Sequence, residues 1–268
     1  LLNRRNLILG ALPFLATVSV VAPPAPFFYP GALLADDWVP SKIGDERYLI
    51  RALGRPDKII VYLHSWEGNH NQVALYKSLL GARDAVLVSP NFGGRNDKPS
   101  AMGSLESTDR IMRVISEARR WTGLTRVQVV GFSGGGMAAL LLLGRRRKEV
   151  EKASLWVPIF DLASVFDMTS NQELRTDMLR VLGGPPEGPD DPRYLNRSPR
   201  SCMHNFDGFT KVIVNVGGLD TEVPKKNGED ACSAMIACAP DAYVSLVEWP
   251  QMGHGFDAAE AIRQLESA

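Results

Sequence analysis

Val129-Val130-Gly131-Phe132-Ser133-Gly134-Gly135-Gly136-Met137 sets a serine among glycines where two sequence patterns meet. Upstream, Arg126 to Val130 is rich in β-branched residues and reads as a strand. Downstream, Met137 to Leu143 is apolar throughout and reads as a buried helix. A serine at so sharp a junction sits in a strained backbone conformation that exposes its hydroxyl at the end of the sheet. Gly131 and Gly135, two residues away on each side, must lack side chains or strand and helix would collide. The helix also aims its first N–H groups and the positive end of its dipole at any charge developing beside Ser133. Five residues of G-x-S-x-G also arise by chance, and a glycine-rich turn with an idle serine is the plainer reading. Partners elsewhere in the chain decide between the two.

The regions around this junction repeat its pattern. Arg47 to Leu53, Lys58 to Leu63, Ala85 to Ser89, Lys152 to Pro158, Lys211 to Val216 and Tyr243 to Trp249 read as strands. Helices are expected over Asn71 to Leu80 and over Ser104 to Trp121, where Ile111, Met112, Ile115 and Ala118 share a face. Such alternation implies an α/β domain with a mostly parallel central sheet and helices on both faces. The cationic run Arg145-Arg146-Arg147-Lys148 reads as compensation of a helix dipole on a solvated surface. One interval breaks the rhythm. Between Phe160 and Thr210 lie a polar helical run, Ser170 to Leu182, and a proline-glycine segment beginning Gly183-Gly184-Pro185-Pro186. This excursion is either a lid-like substrate wall or a plain surface insertion.

At 268 residues the chain has room for one large core. Lysine plus arginine equals aspartate plus glutamate at 30 each, which argues against a nucleic-acid partner. Near the N-terminus, Arg4-Arg5 precedes a short apolar stretch reaching about Ala22 and then Pro23-Pro24-Ala25-Pro26. Residues 1–35 accordingly read as a twin-arginine-like export signal, with Ala35 as the favoured cleavage point, and the mature chain as periplasmic or secreted. The alternative is an uncleaved N-terminal anchor, which would be the chain's only route to a membrane. The domain proper is expected over residues 36–268.

A hydrolytic serine needs a base and an acid that orients it. Of four histidines, His254 lies in Met252-Gly253-His254-Gly255-Phe256, just after the last strand. Asp220 leaves the preceding strand through Gly217-Gly218. The order Ser133, Asp220, His254 is the one that accompanies this kind of turn. Asp161, after the Lys152 strand, is the competing acid. The backbone N–H of Gly134, with that of Ser65 or Trp66 after the Lys58 strand, is the expected oxyanion hole. His64 then reads as a loop brace rather than a base. Trp66 and Arg95 are candidates to line the pocket or to be merely structural. No metal, nucleotide or flavin motif occurs, and no cofactor is expected.

From about Asp57 to Phe256 the chain resembles an α/β-hydrolase, and within that fold the catalytic domain of the prolyl oligopeptidase family. The likeness is carried by Ser89-Pro90-Asn91-Phe92-Gly93-Gly94, by Gly131 to Gly136, by Leu182-Gly183-Gly184 and by Asn196-Arg197-Ser198-Pro199. Asp220-x-x-Val223-Pro224 and Gly253-His254-Gly255-Phe256 are its most specific parts. It implies a serine hydrolase acting through Ser133, Asp220 and His254; the small excursion (161–209), read from the broken rhythm, follows the sixth strand. Its substrate would be a small acyl ester or a short peptide. The family's N-terminal propeller has no room in this sequence, and its oxyanion-loop tyrosine is not evident where His64-Ser65-Trp66 stands. Both departures put an ester or thioester substrate at least level with a peptide; a prolyl-oligopeptidase-like peptidase, acyl transfer and a catalytically idle binding module are the other readings.

Cys202, Cys232 and Cys238 complete the reading. On a helix from Asn227 to Cys238 the last two would be separated by a rise of about 9 Å, too far to bridge. Export would favour Cys202 pairing with one of them; otherwise all three are buried thiols.

Overall fold

In the computed structural model of the chain the described residues are 37–267, so the export or anchor segment expected over 1–35 lies outside them. Eight strands form one sheet: β1 (Val39–Ile43), β2 (Glu46–Leu53), β3 (Lys58–Leu63), β4 (Ala85–Pro90), β5 (Val127–Phe132), β6 (Lys152–Trp156), β7 (Lys211–Gly217) and β8 (Val244–Trp249). Their spatial order is β1-β2-β4-β3-β5-β6-β7-β8. β2 pairs antiparallel with β1 and with β4, and every pair from β4 to β8 is parallel. This is the α/β-hydrolase arrangement.

The alternation of side chains along β3 divides the core. Ile59, Val61 and Leu63 point into a layer shared with α1 (Leu105–Thr122), α2 (Gly134–Arg145) and α6 (Lys226–Cys238). Ile60 and Tyr62 point to the other face, against α7 (Ala258–Glu266). Burial on both faces explains why the central strands read as continuous apolar runs. α1 starts where Ser104 Oγ accepts the N–H of Ser107 and stops at Gly123, whose φ of 71° is the left-handed cap that glycine adopts without strain.

Between β6 and β7 lie α3 (Leu162–Met168), α4 (Gln172–Leu182) and the single turn α5 (Pro192–Leu195). They enclose a third apolar cluster with Trp66, Met102, Met137 and Leu141. The excursion therefore has a core of its own, rooted on the helix that follows Ser133.

Three expectations need correction. The helix expected over Asn71 to Leu80 is two 3₁₀ segments, His70–Leu75 and Lys77–Gly81. They part at Tyr76 (φ −101°, ψ 74°), whose ring packs edge-on to Phe256 at 4.8 Å, so tertiary packing overrides helical propensity. Arg145 does not stand on a solvated surface. Its guanidinium donates to the carbonyl oxygens of Gly103 and Ser104 and to Thr108 Oγ1, and only Arg146, Arg147 and Lys148 are exposed. No disulfide forms among the described residues: Cys202 and Cys232 are buried free thiols and Cys238 is an exposed one. Cys202 belongs to the excursion's cluster and Cys232 to the main core, where burial pushes its thiol up to about 12. β1 is additional to the expected strands; its half-exposed Val-Pro-Ser-Lys-Ile pattern carries little apolar signal.

Candidate active site

Ser133 connects β5 to α2 with φ 55° and ψ −114°, a backbone state that costs an ordinary residue about 1–3 kcal/mol. The glycines around it make that turn possible. A Cβ on Gly135 would stand 2.0 Å from the carbonyl oxygen of Leu63, and one on Gly131 would stand 2.6 Å from that of Gly135. The helix start is thus pressed against the end of β3 more closely than any side chain permits. Ser133 is 3% exposed, yet its hydroxyl faces a cleft.

Two loops, after β7 and β8 of the same parallel sheet, line up behind that hydroxyl. His254 follows β8, and its Nε2 lies 2.8 Å from Ser133 Oγ. Its Nδ1 lies 2.8 Å from Asp220 Oδ2 on the loop after β7. Asp220 Oδ1 accepts the backbone N–H groups of Glu222 and Val223, each at 2.9 Å. The carboxylate is fully buried and all but locked in place, so it fixes the imidazole ring with Nδ1 as donor and leaves Nε2 to accept from Ser133. Asp161 is placed elsewhere. It caps α3 through the N–H of Ala163 and pairs with Arg200 at 2.9 Å.

Of the two loop amides expected to face an oxyanion, only one is free among the described residues. The N–H of Ser65 donates to Gln72 Oε1 at 2.8 Å. The Ser65 carbonyl accepts the N–H of Gly68 at 3.1 Å and lies 2.9 Å from His64 Nδ1. In a trans peptide the N–H of Trp66 points away from that carbonyl. It lies beside the N-terminus of α2, since a Cβ on Gly134 would meet Trp66 N at 2.8 Å. Ser65 itself lines the cleft with its neighbours but does not lend its amide.

His64 is a brace. It is wholly buried, stacked on Phe92 at 4.0 Å, and its second ring nitrogen lies 2.9 Å from the Asn91 carbonyl. Burial pushes its pKa down to about 4, so the ring is neutral and donates to one of its two carbonyl neighbours.

The cleft has a volume of about 320 Å³. Trp66, Phe132 and Leu174 supply its apolar wall, and Glu67 and Glu222 its charged lining. Glu222 accepts from Asn171 Nδ2 at 2.7 Å. Partial burial and the neighbouring Glu173 raise the pKa of Glu67, while Arg95 opposes that shift. Arg95 is not a lining residue; its guanidinium is held by Asp97, Glu173 and Asp177. Gln72, Asn171, Leu174 and Glu222 escaped the sequence reading, for none belongs to a short motif. Among the described residues no cluster of His, Cys, Asp or Glu is placed to hold a metal ion. None of their helices is long and apolar enough to cross a membrane.

The profile of the Prolyl oligopeptidase family matches residues 104–268, more than half of the chain. No curated protein matches by sequence. Among solved structures, an acylaminoacyl peptidase from Pyrococcus horikoshii superposes with a TM-score of 0.64 at 12% identity, over 85% of this chain and 38% of that one. A puromycin-hydrolyzing peptidase from Mycobacterium tuberculosis gives 0.66 at 18% identity, over 88% and 39%. A candidate esterase from Staphylococcus aureus gives 0.65 at 15% identity, over 88% and 85%. The chain spans about two-fifths of the length of the two peptidases, matching only their catalytic portion. With the sheet order and a family profile matched over residues 104–268, the chain belongs to the prolyl oligopeptidase family of serine hydrolases.

Proposed function

We propose that the chain hydrolyses small acyl esters, or short peptides, through an acyl-enzyme on Ser133. The observation that carries this reading is the unbroken hydrogen-bond line Ser133–His254–Asp220, 2.8 Å at each link. His254 takes the hydroxyl proton as Oγ attacks the acyl carbonyl, and Asp220 orients the imidazole and stabilises its cation. The carbonyl oxygen, now negative, is held by the N–H groups of Gly134 and Trp66. The tetrahedral adduct collapses, His254 protonates the departing alcohol or amine, and water then repeats the sequence to release the acid.

Esters are the favoured substrate. The cleft is small, and the loop after β3 offers one backbone amide and no tyrosine hydroxyl. Kinship with peptidases supports the second reading, a short-peptide substrate. A charged lining made only of Glu67 and Glu222 disfavours anionic acyl or leaving groups. The excursion enters this proposal as one wall of the cleft, through Asn171 and Leu174. Export by residues 1–35 belongs to it as well, and is tested by the fraction in which the processed chain is found.

The test is hydrolysis of a panel of p-nitrophenyl esters beside peptide p-nitroanilides, by the wild type and by Ser133→Ala. The variant should fold as the wild type does and lose about a thousandfold or more in kcat. Turnover undiminished by the substitution would end the assignment.

A further inference from the structure

The loop that carries Trp66 is held from an unexpected side. Its indole is 3% exposed and rooted in the apolar cluster under the excursion. The indole N–H donates to Asp177 Oδ2 on α4, at 3.1 Å, across 111 residues of chain. Asp177 is 2% exposed, and its carboxylate is charge-paired on both oxygens. Oδ2 also receives Arg95 at 3.2 Å, and Oδ1 receives Arg180. Asn96, next to Arg95, donates its backbone N–H to the Trp66 carbonyl at 2.9 Å. One carboxylate of the excursion therefore fastens both the side chain of Trp66 and the segment that holds its backbone.

The consequence for chemistry is geometric. An oxyanion donor is effective only within a few tenths of an ångström of its working position. The peptide plane between Ser65 and Trp66 is pinned at its carbonyl end by Gly68 and His64. Its other end turns with the Trp66 Cα, whose direction is set by where the indole is anchored. The close approach to Gly134 leaves little tolerance: Trp66 Cα is 2.8 Å from where a Cβ on Gly134 would lie. A rotation of Trp66 that released its indole would move its N–H relative to that of Gly134.

We propose that Asp177 is a positioning residue for the reaction, setting the Trp66 oxyanion donor through the indole hydrogen bond. The excursion thereby completes the oxyanion hole as well as walling the cleft. This rests on the serine-hydrolase reading given above. A carboxylate is suited to the task because it accepts the indole N–H while its charge holds Arg95 and Arg180. An asparagine could keep the first bond but not the ion pairs.

The experiment compares Trp66→Phe, Asp177→Asn and Asp177→Leu with the wild type in the full chain, using p-nitrophenyl butyrate as substrate and a trifluoromethyl ketone as a mimic of the tetrahedral adduct. Trp66→Phe, which keeps an aromatic side chain but removes the indole N–H together with part of the ring system, should lower kcat by about ten- to a hundredfold with KM within about threefold. Inhibition by the ketone should weaken by the same factor as kcat falls. Asp177→Leu should do likewise, Asp177→Asn should recover part of the loss, and the Trp66→Phe/Asp177→Leu pair should be no worse than the poorer single variant. A merely structural ion pair would lower melting temperature while leaving kcat per folded molecule and ketone affinity unchanged. That outcome, or a loss confined to KM, would overturn the proposal. Because every variant retains Ser133, these results are separable from failure of the serine reading, which Ser133→Ala alone reveals.

Discussion

Gln72 Oε1 accepts the backbone N–H of Ser65 at 2.8 Å, and its Nε2 donates to the hydroxyl of the same residue at 2.7 Å. One side-chain amide thus decides which amide of the loop is left to face Ser133. Tyr62 completes the arrangement by donating its hydroxyl to the same Gln72 oxygen at 3.0 Å. Replacing Gln72 with leucine strands a part-buried N–H and frees the loop. We expect a stability loss of about 1–3 kcal/mol, seen in denaturant unfolding. We also expect a several-fold fall in kcat for p-nitrophenyl butyrate with KM unchanged. Wild-type kcat in a folded Gln72→Leu protein would show that the loop amide is placed by something else.

The contact between α2 and β3 predicts which glycine is least replaceable. A Cβ at position 135 overlaps the Leu63 carbonyl oxygen at 2.0 Å, and neither backbone can yield without moving the serine turn. Gly135→Ala should cost about 3 kcal/mol or more and lower the melting temperature by about 10 °C. Gly81, where an added Cβ would meet open space, is the control; its alanine variant should melt near the wild type.

Acid should unfold the protein partly through His64. Its pKa in the folded state is about 4, below the ordinary value of 6.5. Between those limits the unfolded chain binds a proton that the folded chain refuses, so stability is full above pH 6.5 and falls as the pH drops toward 4. The slope is about 1.4 kcal/mol per pH unit, or about 3 kcal/mol over the window. Unfolding free energies at pH 7 and pH 5 should therefore differ more in the wild type than in His64→Asn. Equal slopes would mean that His64 is already charged in the fold.

Charge in the cleft makes a prediction about substrates. Glu67 and Glu222 line it without a lining cation. A p-nitrophenyl hemisuccinate should show a kcat/KM about tenfold below that of a neutral ester of equal length in low salt. The gap should narrow as ionic strength rises and screening shortens the reach of both carboxylates. A gap indifferent to salt would point to shape instead.

Much of this was legible in the sequence, for identifiable reasons. The parallel strands are buried on both faces, so Lys58–Leu63 and Val127–Phe132 stood out as apolar runs. Gly131 to Gly136 announced a backbone crowding that the structure repeats atom by atom. Ser133, Asp220 and His254 stand out as candidates because each follows a strand, and the fold brings those strand ends, and the three side chains, together at one edge of the sheet. What stayed hidden depends on contacts distant along the chain. Nothing in Asp177 or Gln72 signals its partner, and the reach of Arg145 to Gly103 exists only once α1 and α2 are packed. Tyr76 broke an expected helix because Phe256, far along the sequence, needed its ring.

The reactivity of the Ser133 hydroxyl is measured most directly by covalent labelling. The full chain is incubated with a fluorophosphonate and digested, and the modified peptide is identified by mass spectrometry. A single adduct on the peptide containing Ser133 is predicted, formed in the wild type and suppressed in His254→Ala. An unlabelled Ser133 in a folded protein, or an adduct formed equally fast without His254, would contradict the assignment.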